Sequence, residues 1–143
     1  MLLDHGVDVN IEGGIFGSAL QAASYGGQEN LVQILLHCGT KANSQGGRFG
    51  SALEVASSGG HEKVVQILLD YNADVNADDG PYGGALPAAS SRGHEKVVQI
   101  LLDHGADINA EGGFDGNALQ AAFSKGHEKV VQILLDRGAS SQL

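Results

Sequence analysis

The stretch HEKVVQILLD occurs at residues 61–70, 94–103 and 127–136, so identical copies lie 33 residues apart. Shifting the rest of the chain by the same 33 residues brings further identical residues into register. These columns include one of leucine and one of glycine, at Leu20, Leu53, Leu86 and Leu119 and at Gly27, Gly60, Gly93 and Gly126. Self-similarity at a fixed period of this length is the signature of a stacked repeat protein.

The period divides the chain into one partial unit and four further units within a single domain. The units are 1–14, 15–47, 48–80, 81–113 and 114–143. The first is the tail of a unit, because Leu2–Gly6 has the same sequence as Leu101–Gly105. Many of the 22 glycines recur in register, so we interpret them as turns between units rather than as low-complexity sequence.

Each unit is predicted to contain two short helices. The second helix, from about His61 to Tyr71, has an apolar stripe that a helix buried between neighbours requires. The stripe consists of Val64, Val65, Leu68 and Leu69, widened by Ile67. Glycine, or Asn72 in one unit, follows each second helix and is expected to end it in the left-handed conformation. His61, His94 and His127 are expected to open these helices on the surface.

The first helix of the unit begins with a capping signal. Ser51 and Glu54 are spaced as a capping box, in which each side chain bonds the other residue's backbone N–H. Ser18 with Gln21 and Asn117 with Gln120 have the same spacing. The unit 81–113 has Gly84 and Pro87 at these positions, so its first helix is predicted to be the weakest.

Composition excludes several functional classes. Eight Lys and Arg against 17 Asp and Glu give a net charge of −9, which disfavours binding to nucleic acid. No apolar run approaches the roughly 18 residues that a membrane span needs. The single cysteine, Cys38, cannot form an internal disulfide or a thiolate-clustered zinc site, and it favours a cytoplasmic setting.

Motifs that resemble catalytic or metal sites are incomplete. His61 and Glu62 begin an H-E-x-x-H zinc motif, but Val65 occupies the position of the second histidine. The glycine-rich segment 46–50 lacks the lysine of a phosphate-binding loop. Acidic residues recur in register, whereas a catalytic pair would break the repeat. We therefore predict no enzymatic activity, no cofactor and no metal ion.

The unit resembles the ankyrin repeat over essentially the whole chain. The resemblance rests on the 33-residue length and on segments such as Ser18-Ala19-Leu20-Gln21, V-V-x-I-L-L and Gly105-Ala106-Asp107-Ile108-Asn109. The usual T-P-L-H is absent, so Ser–Gln or Ser–Glu capping is expected to replace its Thr–His bonding. The near-identical units are also similar to ankyrin arrays of filamentous fungi, which often follow a NACHT-type nucleotide-binding domain.

The resemblance implies an all-α solenoid that binds a protein partner on its concave face, which the hairpin tips and first helices line. Variation between units concentrates in these two regions. We expect the partner-binding residues to be Phe16, Tyr25, Arg48, Phe49, Tyr82, Arg92, Phe114, Asp115 and Lys125. Exposed aromatic and Arg side chains are common anchors of protein interfaces.

Two alternatives remain open at this point. Phe16, Phe49 and Tyr82 recur with the 33-residue period, so they either bind a partner or pack turn against turn. The whole chain is either a binding module or a spacer. As a spacer it would be part of a longer array, in contact with adjacent ankyrin repeats or with a neighbouring domain such as a NACHT-type signalling domain.

Overall fold

A computed structural model describes residues 12–13, 17–43, 50–77, 80–110, 113 and 116–139. The regular secondary structure of the described part is helical apart from an antiparallel pair of two-residue strands, β1 (Glu12–Gly13) and β2 (Gly17–Ser18). Eight helices follow in pairs, one pair in each of the four units. They are α1 (Ala19–Tyr25), α2 (Glu29–His37), α3 (Ala52–Ser58), α4 (Glu62–Asp70), α5 (Ala85–Ser91), α6 (Glu95–Asp103), α7 (Ala118–Ser124) and α8 (Glu128–Asp136). The predicted all-α repeat solenoid is confirmed.

The first helices, α1, α3, α5 and α7, pack side by side along the stack. Small side chains allow their close approach, since Ala52, Ala56 and Ser57 are fully buried. Comparison of equivalent residues shows which side of a first helix faces the preceding unit and which side faces the following unit. Ala22 is exposed on α1, whereas its counterparts Val55, Ala88 and Ala121 are buried, so this column faces the preceding unit. The column of Ser24, Ser57 and Ser90 is buried towards the following unit.

The second helices form the other layer, with the predicted apolar stripe turned inwards. Val64, Val65 and Leu68 are fully buried and Ile67 is half-buried, in agreement with the sequence analysis. Each second helix contacts the first helix of its own unit, and α2, α4 and α6 each contact the second helix of the next unit. Asn72 has a φ of +67° after α4, as predicted, and Gly39, Gly105 and Gly138 at the equivalent positions also have positive φ.

The predicted capping box is wrong for the unit 48–80. The Ser51 hydroxyl accepts from the Glu54 N–H at 3.1 Å, but the Glu54 carboxylate turns to the next unit and accepts from the Tyr82 N–H at 3.2 Å. In the preceding unit, Gln21 likewise donates to the Gly50 carbonyl at 2.6 Å. These long side chains therefore join neighbouring units instead of closing their own helix.

Only the last described unit contains the complete capping box. Asn117 accepts from the Gln120 N–H at 2.8 Å, and the Gln120 side chain accepts from the Asn117 N–H at 3.0 Å. The Gln120 side chain therefore closes its own helix, unlike those of Gln21 and Glu54. In the third unit α5 forms without a side-chain cap, on Gly84 with a φ of +133°. Pro87 lies in its first turn, where a missing N–H costs least, and the weakness of this helix remains a prediction.

Histidines form a second set of hydrogen bonds between units. His61, His94 and His127 precede α4, α6 and α8 as expected, but they are half-buried instead of lying fully on the surface. Each imidazole Nε2 bonds a backbone carbonyl of the preceding unit, on Tyr25, Ser58 and Ser91, at 3.1, 3.0 and 2.9 Å. Glycine is required beneath the rings, because a Cβ on Gly60 would lie 2.6 Å from His94 Nδ1.

Asparagines in the outer turns form a third set of hydrogen bonds between units. Asn76 Oδ1 accepts from the Asp107 N–H at 2.7 Å, and its Nδ2 donates to the Gly105 carbonyl at 3.3 Å. Asn43 makes the equivalent pair of bonds to Asp74 and Asn72, at 2.6 and 3.2 Å. One amide thus bonds two backbone groups of the next unit, which sets the register of the stack.

Candidate functional site

The structure describes four of the nine predicted partner-binding residues. Tyr25, Tyr82, Arg92 and Lys125 lie in described segments. The other five are outside the described residues, and their role stays a prediction. They are Phe16, Arg48, Phe49, Phe114 and Asp115. We call the surface formed by the C-terminal ends of the first helices and by segment 80–83 the inner face.

Tyr25 and Tyr82 meet at a notch in the inner face. The notch has a volume of about 30 Å³ and draws on three units. It is lined by Tyr25, Glu54, Val55, Ser58, Pro81 and Tyr82. Tyr25 ends α1 and leaves 54% of its surface exposed, while Pro81 and Tyr82 are half-buried. The notch therefore presents aromatic and proline walls to solvent.

Arg92 lies at the edge of this notch. Its Nη1 is 3.5 Å from the Tyr82 hydroxyl oxygen, and its side chain is exposed. Lys125 occupies the equivalent position one unit later, where it is exposed as the C-cap residue of α7. The structure thus brings Tyr25, Tyr82 and Arg92 together and places Lys125 next along the stack.

The backbone of Tyr82 is held by a buried carboxylate. Glu54 is fully buried and bonds the Tyr82 N–H, so segment 80–83 is attached to α3. The side chain of Tyr82 does not take part in that bond. The half-buried ring is therefore consistent with both interpretations from sequence, packing and partner binding.

His94 lies beside the inner face and is electrostatically perturbed. Burial lowers the pKa of His94, and the positive charges of Arg92, His61 and His127 lower it further. The bond to the Ser58 carbonyl acts in the opposite direction. The imidazole therefore favours its neutral form, in which Nε2–H still donates to the carbonyl.

The nine predicted partner-binding residues do not include Phe123, the most exposed large apolar residue of the described chain. Phe123 is 61% exposed on α7, and Leu135 on α8 is 39% exposed. Phe123 occupies the column in which Ser24, Ser57 and Ser90 are buried towards the following unit. It therefore faces along the stack rather than across the inner face. The replacement of serine by phenylalanine in this column was a visible sequence signal.

A wider groove lies on the second-helix side of the stack. It has a volume of about 510 Å³ and is lined by Asn30, Gln33, Ile34, His37, Cys38 and Tyr71. Cys38 is exposed there. Within the described segments, no group of three or more His, Cys, Asp or Glu residues is arranged to hold a metal ion. No helix in those segments is long and apolar enough to cross a membrane.

Comparison with known proteins agrees with the helix pairs. A family model described as ankyrin repeats, in three copies, matches residues 1–79 and again residues 80–143. The two matches together cover the whole chain. No curated protein matched the sequence.

Proposed function

The chain belongs to the ankyrin-repeat family, and we propose that it is a non-catalytic module that binds a protein partner on its inner face. Ankyrin repeats are generally protein–protein interaction modules, and the family is typically non-catalytic. The module comprises the whole of 1–143 as one domain. The observation that carries the proposal is the cluster of Tyr25, Tyr82 and Arg92 at a notch that residues of three successive units line.

The cluster supports binding because its exposure is not needed by the scaffold. Tyr25 and Arg92 are replaced by serine and glycine at equivalent positions of other units, such as Ser58 and Gly59, and the helix pair forms there as well. Tyrosine and arginine supply large contact areas and hydrogen bonds, and they are enriched among residues that dominate binding energy. A partner that covered this cluster would contact several units at once.

The test is an affinity capture from extract of the cells that express the protein, read by mass spectrometry. Wild-type chain is compared with a variant carrying Tyr25→Ala, Arg92→Ala and Lys125→Ala. A matched control carries Tyr71→Ala, Lys96→Ala and Lys129→Ala on the second-helix side, where these side chains are exposed. Circular dichroism verifies that all three remain helical.

We expect partners that the wild type and the control retain and that the inner-face variant loses. Two anchors at about 2 kcal/mol each would weaken binding by several hundred-fold or more. Identical protein lists from all three chains would refute the inner face as the binding site.

A second candidate function is a spacer within a longer array. It is supported by the exposed Phe123 and Leu135, which lie where the fourth unit would contact a further element. Adjacent ankyrin repeats or a neighbouring domain, such as the NACHT-type domain of similar fungal arrays, would cover them. Analytical ultracentrifugation of the isolated chain tests this: concentration-dependent association that Phe123→Ser abolishes supports the spacer, and a monomer at all concentrations contradicts it.

A cytoplasmic setting is also part of the proposal. Cys38 is the one cysteine in the chain, and its thiol is exposed, so the fold does not depend on oxidation. A fluorescent fusion imaged in the native cells tests the location, and exclusion of the fusion from the cytoplasm would contradict it.

A further inference from the structure

The acidic and basic side chains of the described residues are unequally divided between the two sides of the stack. Where the structure describes the side chain, acidic residues lie on the second helices and outer turns, with one exception. They are Glu29, Glu62, Asp70, Asp74, Glu95, Asp103, Asp107, Glu128 and Asp136. The exception, Glu54 on α3, is fully buried and bonded to the Tyr82 backbone. Where side chains are described, the inner face therefore has no exposed acidic residue, although the net charge of the chain is −9; Asp78, Asp79, Glu111 and Asp115 lie outside the described residues.

The exposed charges of the described inner face are positive. Arg92 and Lys125 end two successive first helices, and both side chains are exposed. A cation at a helix C-terminus interacts favourably with the helix dipole, so a purely structural role is the simplest alternative. The other two units have Gly26 and Gly59 at this position and form the same helix. The fold therefore does not require the two cations, and both are exposed where a partner could contact them.

The spacing of these groups defines what they can reach. Neighbouring helices pack with axes about 8–10 Å apart, so Arg92 and Lys125 are about one helix spacing apart along the stack. An extended chain advances about 3.3 Å per residue, so two or three residues cover that distance. Arg92 also contacts the Tyr82 hydroxyl. The Tyr25–Tyr82 notch therefore lies about the length of a tyrosine side chain from the Arg92 guanidinium.

We propose that the inner face binds an extended acidic protein segment, with one apolar side chain in the Tyr25–Tyr82 notch and two carboxylates at Arg92 and Lys125. This inference rests on the proposed function and specifies its partner. A notch of about 30 Å³ accepts a small apolar group such as a methyl group or the edge of a proline. Arg binds carboxylate through paired N–H donors, whereas Lys acts as a point charge.

The test begins with a random dodecapeptide library displayed on phage and selected against the full chain. The enriched peptides are synthesised with a fluorescent label, and their affinities are measured by anisotropy. Four chains are compared: wild type, R92Q with K125Q, K96Q with K129Q, and Y25A. The two glutamine pairs make the same change in net charge within the same two units, on opposite sides of the stack.

We expect enriched peptides to carry two Asp or Glu residues two or three positions apart and an apolar residue two or three positions from one of them. Their affinity should fall about tenfold or more in R92Q with K125Q and less than twofold in K96Q with K129Q. It should also fall in Y25A.

Other results separate this inference from the proposed function. Some peptides could lose affinity in Y25A and yet lack acidic residues, or keep their affinity in R92Q with K125Q. Such peptides would overturn the acidic partner and leave the inner face as the binding site. Equal loss in the two glutamine pairs would reveal a response to overall charge and overturn the inference. Peptides that bind all four chains equally would overturn both. Failure to enrich any peptide would overturn the inference, because a short segment is what it specifies.

Discussion

Replacing Ser57 by alanine should stabilise the protein. Ser57 is 0% exposed on α3, and its Oγ has no hydrogen-bond partner among the described residues. A buried hydroxyl left without a partner costs about 1–3 kcal/mol. Alanine removes that cost and is also the better helix former by a few tenths of a kcal/mol. The lost packing of one oxygen atom is smaller, so we expect a net gain of about 1–2 kcal/mol in the free energy of unfolding.

Urea unfolding followed by circular dichroism at 222 nm measures this gain. With a slope of about 2 kcal/mol per molar urea, the midpoint should rise by roughly 0.5–1 M. Ser58→Ala is the matched control, because Ser58 is the next residue of the same helix and is half-exposed. Its hydroxyl can bond water, so only the helix-propensity term should remain.

Two results would refute the reasoning. A lower midpoint for Ser57→Ala would mean that the hydroxyl forms a bond that the fold needs. Equal shifts for Ser57→Ala and Ser58→Ala would mean that helix propensity, rather than burial of the hydroxyl, accounts for the gain. Ser24→Ala and Ser90→Ala repeat the experiment in two other units, because both hydroxyls are buried in the same way.

Three further predictions concern polar contacts between neighbouring units. Burial lowers the pKa of His94 below its ordinary value of 6.5, so the unfolded chain binds the proton first as the pH falls. The stability that the neutral ring contributes should be complete above pH 6.5 and lost on acidification below it. His94→Gln introduces the residue that occupies the equivalent position in the first pair of helices, Gln28. This variant should show a smaller change in urea midpoint between about pH 7.5 and 5.5. Asn76→Ala should lower the free energy of unfolding, measured with urea, by about 1–3 kcal/mol, since it removes two hydrogen bonds to the next unit. An unchanged midpoint would show that these two hydrogen bonds are dispensable. Asp103→Asn should cost less than about 1 kcal/mol, because its 2.9 Å ion pair with Arg137 is exposed, and a larger loss that persists in 1 M NaCl would contradict a surface ion pair.

The regular part of the fold was accessible from the sequence. The apolar spacing of Val64, Val65 and Leu68 predicted the inward stripe of α4, and these residues are buried. Asn72 was expected to adopt the left-handed conformation after that helix, and it does. Both features depend on contacts within one unit, and the 33-residue period repeats the same evidence in every unit.

Contacts between units were not accessible in the same way. Ser51 and Glu54 have capping-box spacing, yet Glu54 bonds the backbone of Tyr82, 28 residues away. His61 bonds the carbonyl of Tyr25, 36 residues away. A backbone carbonyl leaves no mark in the sequence, so a side chain that bonds one cannot be recognised by spacing alone.

The candidate site shows the same division. Variation between units indicated Tyr25, Tyr82, Arg92 and Lys125 as candidates, but not which of them meet. The structure brings Tyr25 and Tyr82 to one notch with Arg92 at its edge. The role of Phe123 depends on whether its column faces the inner surface or the next unit, and only burial of the equivalent serines reveals that direction.

The sequence by itself determined the repeat length, the helix pair of each unit and the residues that vary between units. These follow from hydrophobic periodicity and turn residues, which act over a few positions. Only the tertiary structure decided how polar side chains are shared between neighbouring units and which variable residues form one surface. Those outcomes depend on stacking, because it brings residues about 30 positions apart into contact, and buried carboxylates and imidazoles then bond backbone groups of the neighbouring unit.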